Sequence, residues 1–280
     1  MTLVASLADR ALVRVGGPDA EPFLQGLVTC DIEGLAIGHA RFGALLSPQG
    51  KILFDFFVIR GQDSFLLDAA ATLRDDLLRR LMLYKLRARV EIGPFDPRTS
   101  VHACWGGMAP LVDGIAVVDP RLPELGHRLY CRRAPQGKRG DYQTHRIGLG
   151  MPEGGADFAY GNTFPHEALM DQNGGISFAK GCFVGQEVVS RIQHRGTARS
   201  RFVQVSAKVT LPPPSTTILA AAKSCGEMGS SAGKVGLALI RLDRAAEAIA
   251  AGNGLTAGST AIEAKIPKWA KFQWPAAAGA

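Results

Sequence analysis

The chain has few cysteines and no paired-cysteine motif. Cys30, Cys104, Cys131, Cys182 and Cys225 are widely spaced, and no Cys-x-x-Cys occurs. That argues against a zinc ribbon or a self-contained four-cysteine cluster, and for reduced, mostly buried thiols. The six histidines have no partner at i+3 or i+4, so no two-histidine helical ligand face is present and no metal site is expected. A Gly-x-x-x-x-Gly-Lys-Ser/Thr phosphate loop is missing. No apolar run approaches the roughly 20 residues needed to cross a bilayer. The N-terminus lacks an export pattern, and Asp9, Asp19 and Glu21 spoil an acid-poor presequence. These features lead to the expectation of a bacterial cytoplasmic protein without a membrane partner.

What is present is an ordinary globular composition, 46% hydrophobic over 280 residues. That is enough for two or three packing units. The net charge of +7 favours an anionic ligand. The basic residues are spread along the chain, with no aromatic-interleaved basic strand, so direct nucleic-acid binding is not expected.

Period-two alternation marks a strand at 11–15, the turns at 47–50 and 61–63 bound further strands at 41–46 and 64–68, and 52–59 is a near-continuous apolar strand. Pro18 suits the first turn of a helix reaching about Val28. Leu73, Leu77, Leu81 and Tyr84 recur at helical spacing within 70–86, and a strand follows at 88–92. Further strands are predicted at 99–104, 115–118 and 127–132, with a helix at 140–149. The stretch 151–175, rich in Gly, Pro, Asn and Asp, reads as irregular. Strands at 201–210, 232–241 and 260–266 suggest a small all-β barrel. The fold class is α+β, divided into mixed units at 1–95 and 96–198 and a barrel domain at 199–280.

Two places invite chemistry. In Lys180-Gly181-Cys182-Phe183-Val184-Gly185-Gln186-Glu187 a helix is predicted from about Gly185 to Arg195, capped by Gly196. Cys182 then stands beside Lys180 ahead of a helix start, a setting that favours the thiolate; the alternative is a small buried thiol at a tight turn. Glu187 and Arg191, four apart, form either a helix-surface ion pair or part of a ligand site with Gln186. Asp55 lies inside Ile52-Leu53-Phe54-Asp55-Phe56-Phe57-Val58. A carboxylate there is paired, protonated or serving a ligand, or else sits at a sheet edge and reaches water.

Lys-Gly-Cys-Phe-x-Gly-Gln-Glu resembles the signature of the YgfZ proteins and of related mitochondrial iron–sulfur assembly factors, both relatives of the GcvT aminomethyltransferases. Phe23–Thr29 with Asp31, Ser47–Lys51, Arg146–Pro152, Phe164–Glu167, Gly174–Phe178 and Ile266–Trp269 are similar to that family as well. The resemblance implies an aminomethyltransferase-like fold, with two mixed α/β units arranged in a ring with a C-terminal all-β barrel. It implies tetrahydrofolate, or a derivative, in the central opening. Lys180, Gly181, Gln186, Glu187, Arg191 and Asp55 are the implied cofactor-binding positions, and Cys182 and Asp55 the reactive ones. The implied function is a monomeric folate-binding helper in iron–sulfur protein assembly or repair. Its partners would be iron–sulfur client or assembly proteins, and its link to tRNA modification indirect. The alternative is a folate-dependent one-carbon (aminomethyl) transferase or demethylase. Aminomethyltransferases carry two adjacent acids in the strand where this chain has Phe54-Asp55, and they lack Lys-Gly-Cys. That departure moves the reading toward iron–sulfur maturation.

Overall fold

The computed structural model describes residues 1–196 and 198–275. They fall into two compact units, residues 1–142 with 173–188, and residues 143–172 with the chain from 189 onward.

The first unit runs β1 (Leu3–Ser6), β2 (Arg10–Gly16), α1 (Ala20–Gln25), β3 (Ala40–Leu46), β4 (Ile52–Arg60), β5 (Ser64–Ala70), α2 (Arg74–Lys85), β6 (Glu91–Pro94), β7 (Ser100–Trp105), β8 (Gly114–Val118), β9 (His127–Cys131) and β10 (Lys138–Arg139). Five strands form the antiparallel sheet β3-β4-β5-β2-β6. The other five form the sheet β10-β1-β7-β9-β8. β1 was not expected. It is only four residues long, too short for alternation to show, yet it pairs with β7 from Leu3↔Trp105 to Ser6↔His102.

β4 shows how the first sheet is used. Phe54, Phe56 and Val58 pack with Leu24 of α1 and with Leu77 and Leu81 of α2 in one core. Side chains alternate along a strand, so Asp55 and Phe57 share the opposite face. That face meets cations: the Arg128 and Arg121 guanidinium carbons lie 4.7 and 5.0 Å from the Phe57 ring centroid. A buried ionic cluster sits there. Asp68, fully buried on β5, accepts from Arg10 at 2.7 Å and from the Tyr130 hydroxyl at 3.0 Å, and pairs with Arg128 at 3.4 Å. Asp119 is chelated by Arg121 at 3.0 and 2.8 Å. Buried charges of this kind persist only when each is paired and hydrogen-bonded, as these are.

The second unit contains most of α3 (Tyr142–Gly148), most of α4 (Gln186–Arg195), and a closed barrel with α5 (Leu242–Ala250). The barrel strands are β11 (Ser200–Ser206), β12 (Thr217–Ala220), β13 (Lys223–Ala232), β14 (Val235–Arg241), β15 (Leu255–Ala257) and β16 (Thr260–Lys265), in the order β11-β14-β13-β12-β15-β16. Val203, Val205, Ile218, Ala238, Ile240 and Ala245 fill its core. β12 and β15 escape sequence reading because they are four and three residues long. β13 escapes because its Gly- and Ser-rich sequence, KSCGEMGSSA, has little strand character. The irregular stretch 151–172 is fixed by charge. Arg146, fully buried, donates to Asp157 at 2.6 Å, to the Met151 carbonyl at 3.1 Å and to Ser230 Oγ at 2.9 Å.

Candidate functional site

The segment Lys180–Gln186 is an anchored loop, and within the first unit it draws three distant stretches together. α1 ends at Gln25, leaving the carbonyls of its last turn and of the following turn in need of donors. Lys180 supplies them: its ammonium donates to the carbonyl oxygens of Gln25 at 2.6 Å, Val28 at 2.7 Å and Cys30 at 2.9 Å. A cation at a helix C-terminus is also favoured by the helix dipole. An ammonium has three N–H donors, and all three are used, so none remains for a ligand's carboxylate. Burial pulls the Lys180 ammonium below its ordinary value, with Cys30 and Asp31 acting the other way. The Phe183 ring, itself buried, lies with its centroid 5.5 Å from the Lys180 nitrogen.

Thr29 ties the lead-in. Its hydroxyl donates to the Gly175 carbonyl at 2.6 Å and accepts from the Ala44 amide at 2.8 Å, while its carbonyl accepts from the Ser177 amide at 2.9 Å. On the other side the loop meets the turn before β4. Gly185 has φ +81°, and a Cβ there would lie 2.5 Å from the Ser47 carbonyl oxygen. Gly50 has φ +78° and faces Val188, to which a Cβ would come within 3.0 Å. Lys180, Phe183 and Gly185 therefore hold the loop. Gly181 and Cys182 are exposed, and a Cβ at Gly181 would meet open space.

Cys182 is the exposed thiol among five; Cys30, Cys104, Cys131 and Cys225 are buried. Burial pushes the Cys30 thiol up to about 12 and raises Cys104, Cys131 and Cys225 as well. The alternative of a buried Cys182 is thereby removed. α4 begins four residues later at Gln186, and the Gln186 amide bonds the Phe183 carbonyl across the intervening turn at 3.2 Å. Glu187 and Arg191 are both exposed on α4, and Val189 is its buried residue.

Asp55 is 7% exposed, and β4 lies between β3 and β5, so it does not reach water from a sheet edge. Its position opposite Ala44 puts it one register step from Gly43, where a Cβ would lie 2.5 Å from the Cys30 sulfur. Asp68 and Arg128 escaped the sequence reading. The reasoning applied to Asp55 would have found Asp68, since it closes the apolar run Phe65-Leu66-Leu67. Among the described residues no group of three or more His, Cys, Asp or Glu side chains is placed to hold a metal ion.

In the second unit, His166 Nε2 lies 3.1 Å from Gln193 Oε1, and Arg201 chelates Asp171 at 2.8 Å through both nitrogens. These groups line a cavity of about 390 Å³ with Phe272 and Arg199; none of the sequence-predicted site residues lines it.

With this geometry in view, comparison with known proteins defines the class. Residues 7–112 match the family described as GCVT N-terminal domain, and residues 199–272 match CAF17, C-terminal beta-barrel domain. The fold is aminomethyltransferase-like. The chain superposes on the glycine cleavage system aminomethyltransferase T from Bartonella henselae with a TM-score of 0.75, covering 95% of this chain and 85% of that one at 16% identity. Sequence places it more finely. It is 33% identical to the mitochondrial iron–sulfur cluster assembly factor IBA57 of Mus musculus over 97% of this chain and 85% of that protein. It is 31% identical to the Homo sapiens factor of the same name over 96% of this chain and 84% of that protein. The chain belongs to the family of iron–sulfur cluster assembly factor IBA57. These relatives are named as mitochondrial, which corrects the expectation of a cytoplasmic protein.

Proposed function

We propose that this chain is an accessory factor in the assembly or repair of iron–sulfur proteins, acting through the Cys182 thiol. The observation that carries the reading is that the exposed cysteine is also the one on a loop fixed from both sides, by Lys180 and by Gly185. A protein-bound iron–sulfur cluster takes several thiolates, and Cys182 supplies one. A cluster, the cargo here, would thus be shared with ligands from a client or assembly partner. The relatives' names as iron–sulfur cluster assembly factors support this role. An effect on tRNA modification would follow indirectly, through iron–sulfur enzymes, as the likeness to YgfZ proteins suggests; the working unit would be a monomer. The test is complementation of a strain lacking its own factor. Wild type restores iron–sulfur enzyme activity and Cys182→Ala does not, with the melting temperature unchanged. Restoration by Cys182→Ala would overturn the role.

Reduced folate is the cofactor proposed to bind beside this chemistry, supported by the likeness of fold to an aminomethyltransferase. A pterin edge presents N–H donors and a ring acceptor. The buried Asp55 carboxylate suits the donors, and Gln186 offers a donor and an acceptor together. Glu187 and Arg191 lie on the same helix. When bound, the folate would supply a one-carbon carrier. The second reading, a one-carbon transferase or demethylase, rests on the burial of Asp55, where a carboxylate could hold or accept a proton at the reacting nitrogen. Calorimetric titration with tetrahydrofolate of wild type, Asp55→Ala and Cys182→Ala tests the folate site and separates it from the thiol. Binding should weaken with Asp55→Ala and persist with Cys182→Ala. No binding by wild type would remove folate from both.

A further inference from the structure

The last turn of α2 departs from the usual division of a surface helix. Leu77 and Leu81 face the core, as expected, but Met82, Leu83 and Leu86 are 51, 70 and 88% exposed. Leu86 follows the helix at φ +44°, a left-handed conformation unusual for a leucine, with its side chain in solvent. The charged residues along the chain from 77 to 90 are of one sign. Residues 77–90 contain Arg79, Arg80, Lys85, Arg87 and Arg89 and no acid. Arg79 is paired with Asp76, and Arg89 with Asp19. Arg80, Lys85 and Arg87 have no acidic partner among the described residues.

We propose that this end of α2 docks peripherally on an anionic lipid surface. Met82, Leu83 and Leu86 would enter the headgroup boundary, and Arg80, Lys85 and Arg87 would meet lipid phosphates. Apolar side chains ringed by long cations are what an interfacial helix presents, because the cations keep their heads in the headgroup layer while their stems lie along the apolar surface. No helix among the described residues is long and apolar enough to span a membrane, so the contact is with one face only. A second copy of the chain fits poorly, since a self-complementary contact would oppose these cations to one another. A protein groove reads a helix through anchors spaced over two turns or more. Here the exposed apolar side chains are confined to 82–86, and Asp75 and Asp76 occupy the first turn of the same helix.

The test is co-sedimentation of the full chain with phosphatidylcholine vesicles, with and without phosphatidylglycerol. Association is expected with the anionic vesicles and should fall as salt is raised. Leu83→Ser with Leu86→Ser should weaken it by at least ~10-fold per side chain, and Lys85→Gln with Arg87→Gln by about 5-fold per charge. All four positions are exposed or half-buried, so the variants should melt with wild type. The proposal is overturned by failure to bind anionic vesicles, equal binding to neutral ones, or indifference to the leucine changes. A dimer abolished by Leu83→Ser with Leu86→Ser overturns it in favour of self-association. Competition by polyglutamate of wild-type binding that needs the cations but not the leucines overturns it in favour of an acidic polypeptide.

Discussion

Gly185 approaches the Ser47 carbonyl so closely that any Cβ at position 185 would lie 2.5 Å from that oxygen. The motif glycine is thereby a packing requirement between the loop and the turn that precedes β4. It is also a conformational one, since its φ is +81°.

Gly174 separates the two effects. It too has positive φ, +76°, but a Cβ there would meet nothing within 4 Å. Gly174→Ala should cost about 1 kcal/mol, and Gly185→Ala at least ~2 kcal/mol because the backbone must also move. Urea unfolding of the two variants measures the difference. Equal costs would mean the contact with Ser47 carries no weight.

Lys180→Met keeps the aliphatic stem and removes the donors from three carbonyls. Leaving buried acceptors unpaired should destabilise the first unit by ~3 kcal/mol or more. The same denaturant titration checks it. A loss under about 1 kcal/mol would show that water replaces the ammonium.

Thiol labelling of the folded protein should be dominated by Cys182. The other four thiols are buried with raised values, Cys30 at about 12, so they should react only on unfolding. Mass spectrometry should find a single fast adduct, lost in Cys182→Ser. A second fast adduct would contradict the burial pattern.

Most of the strands were legible in the sequence, and so was the motif of the candidate site; the reason for the loop's form was not. β4 and α4 were plain because a continuous apolar run and an amphipathic period report burial directly. The segment Lys180–Glu187 was legible as a motif. Its lysine, however, reads as a charge beside a thiol, whereas its partners are backbone carbonyls at least 150 residues away, which no local pattern can show. The same holds for Asp68, whose cations come from β2 and β9.

The acid limb of stability offers a further prediction, at Asp243 in the first turn of α5. Hydrogen bonds from Arg241 hold its carboxyl down at about 2, against an ordinary 3.8. A depressed carboxylate contributes stability that is fully present above 3.8 and is lost as pH falls through about 2. Both side chains are roughly a third exposed, so screening limits the contribution to under about 1 kcal/mol. Asp243→Asn should flatten acid unfolding within that window and leave the alkaline side unchanged. A change confined to pH above 5 would refute the assignment.

The Lys180 anchor also sets a timetable for synthesis. The acceptors at Gln25, Val28 and Cys30 leave the ribosome 150 to 155 residues before the lysine that serves them. At about 5–20 residues per second that is a wait of roughly 8–30 s. Until then the end of α1 must borrow water for its carbonyls, and the seam between the Ser47 turn and Gly185 cannot close. The nascent first unit thus stays open at the place where the finished protein presents its thiol.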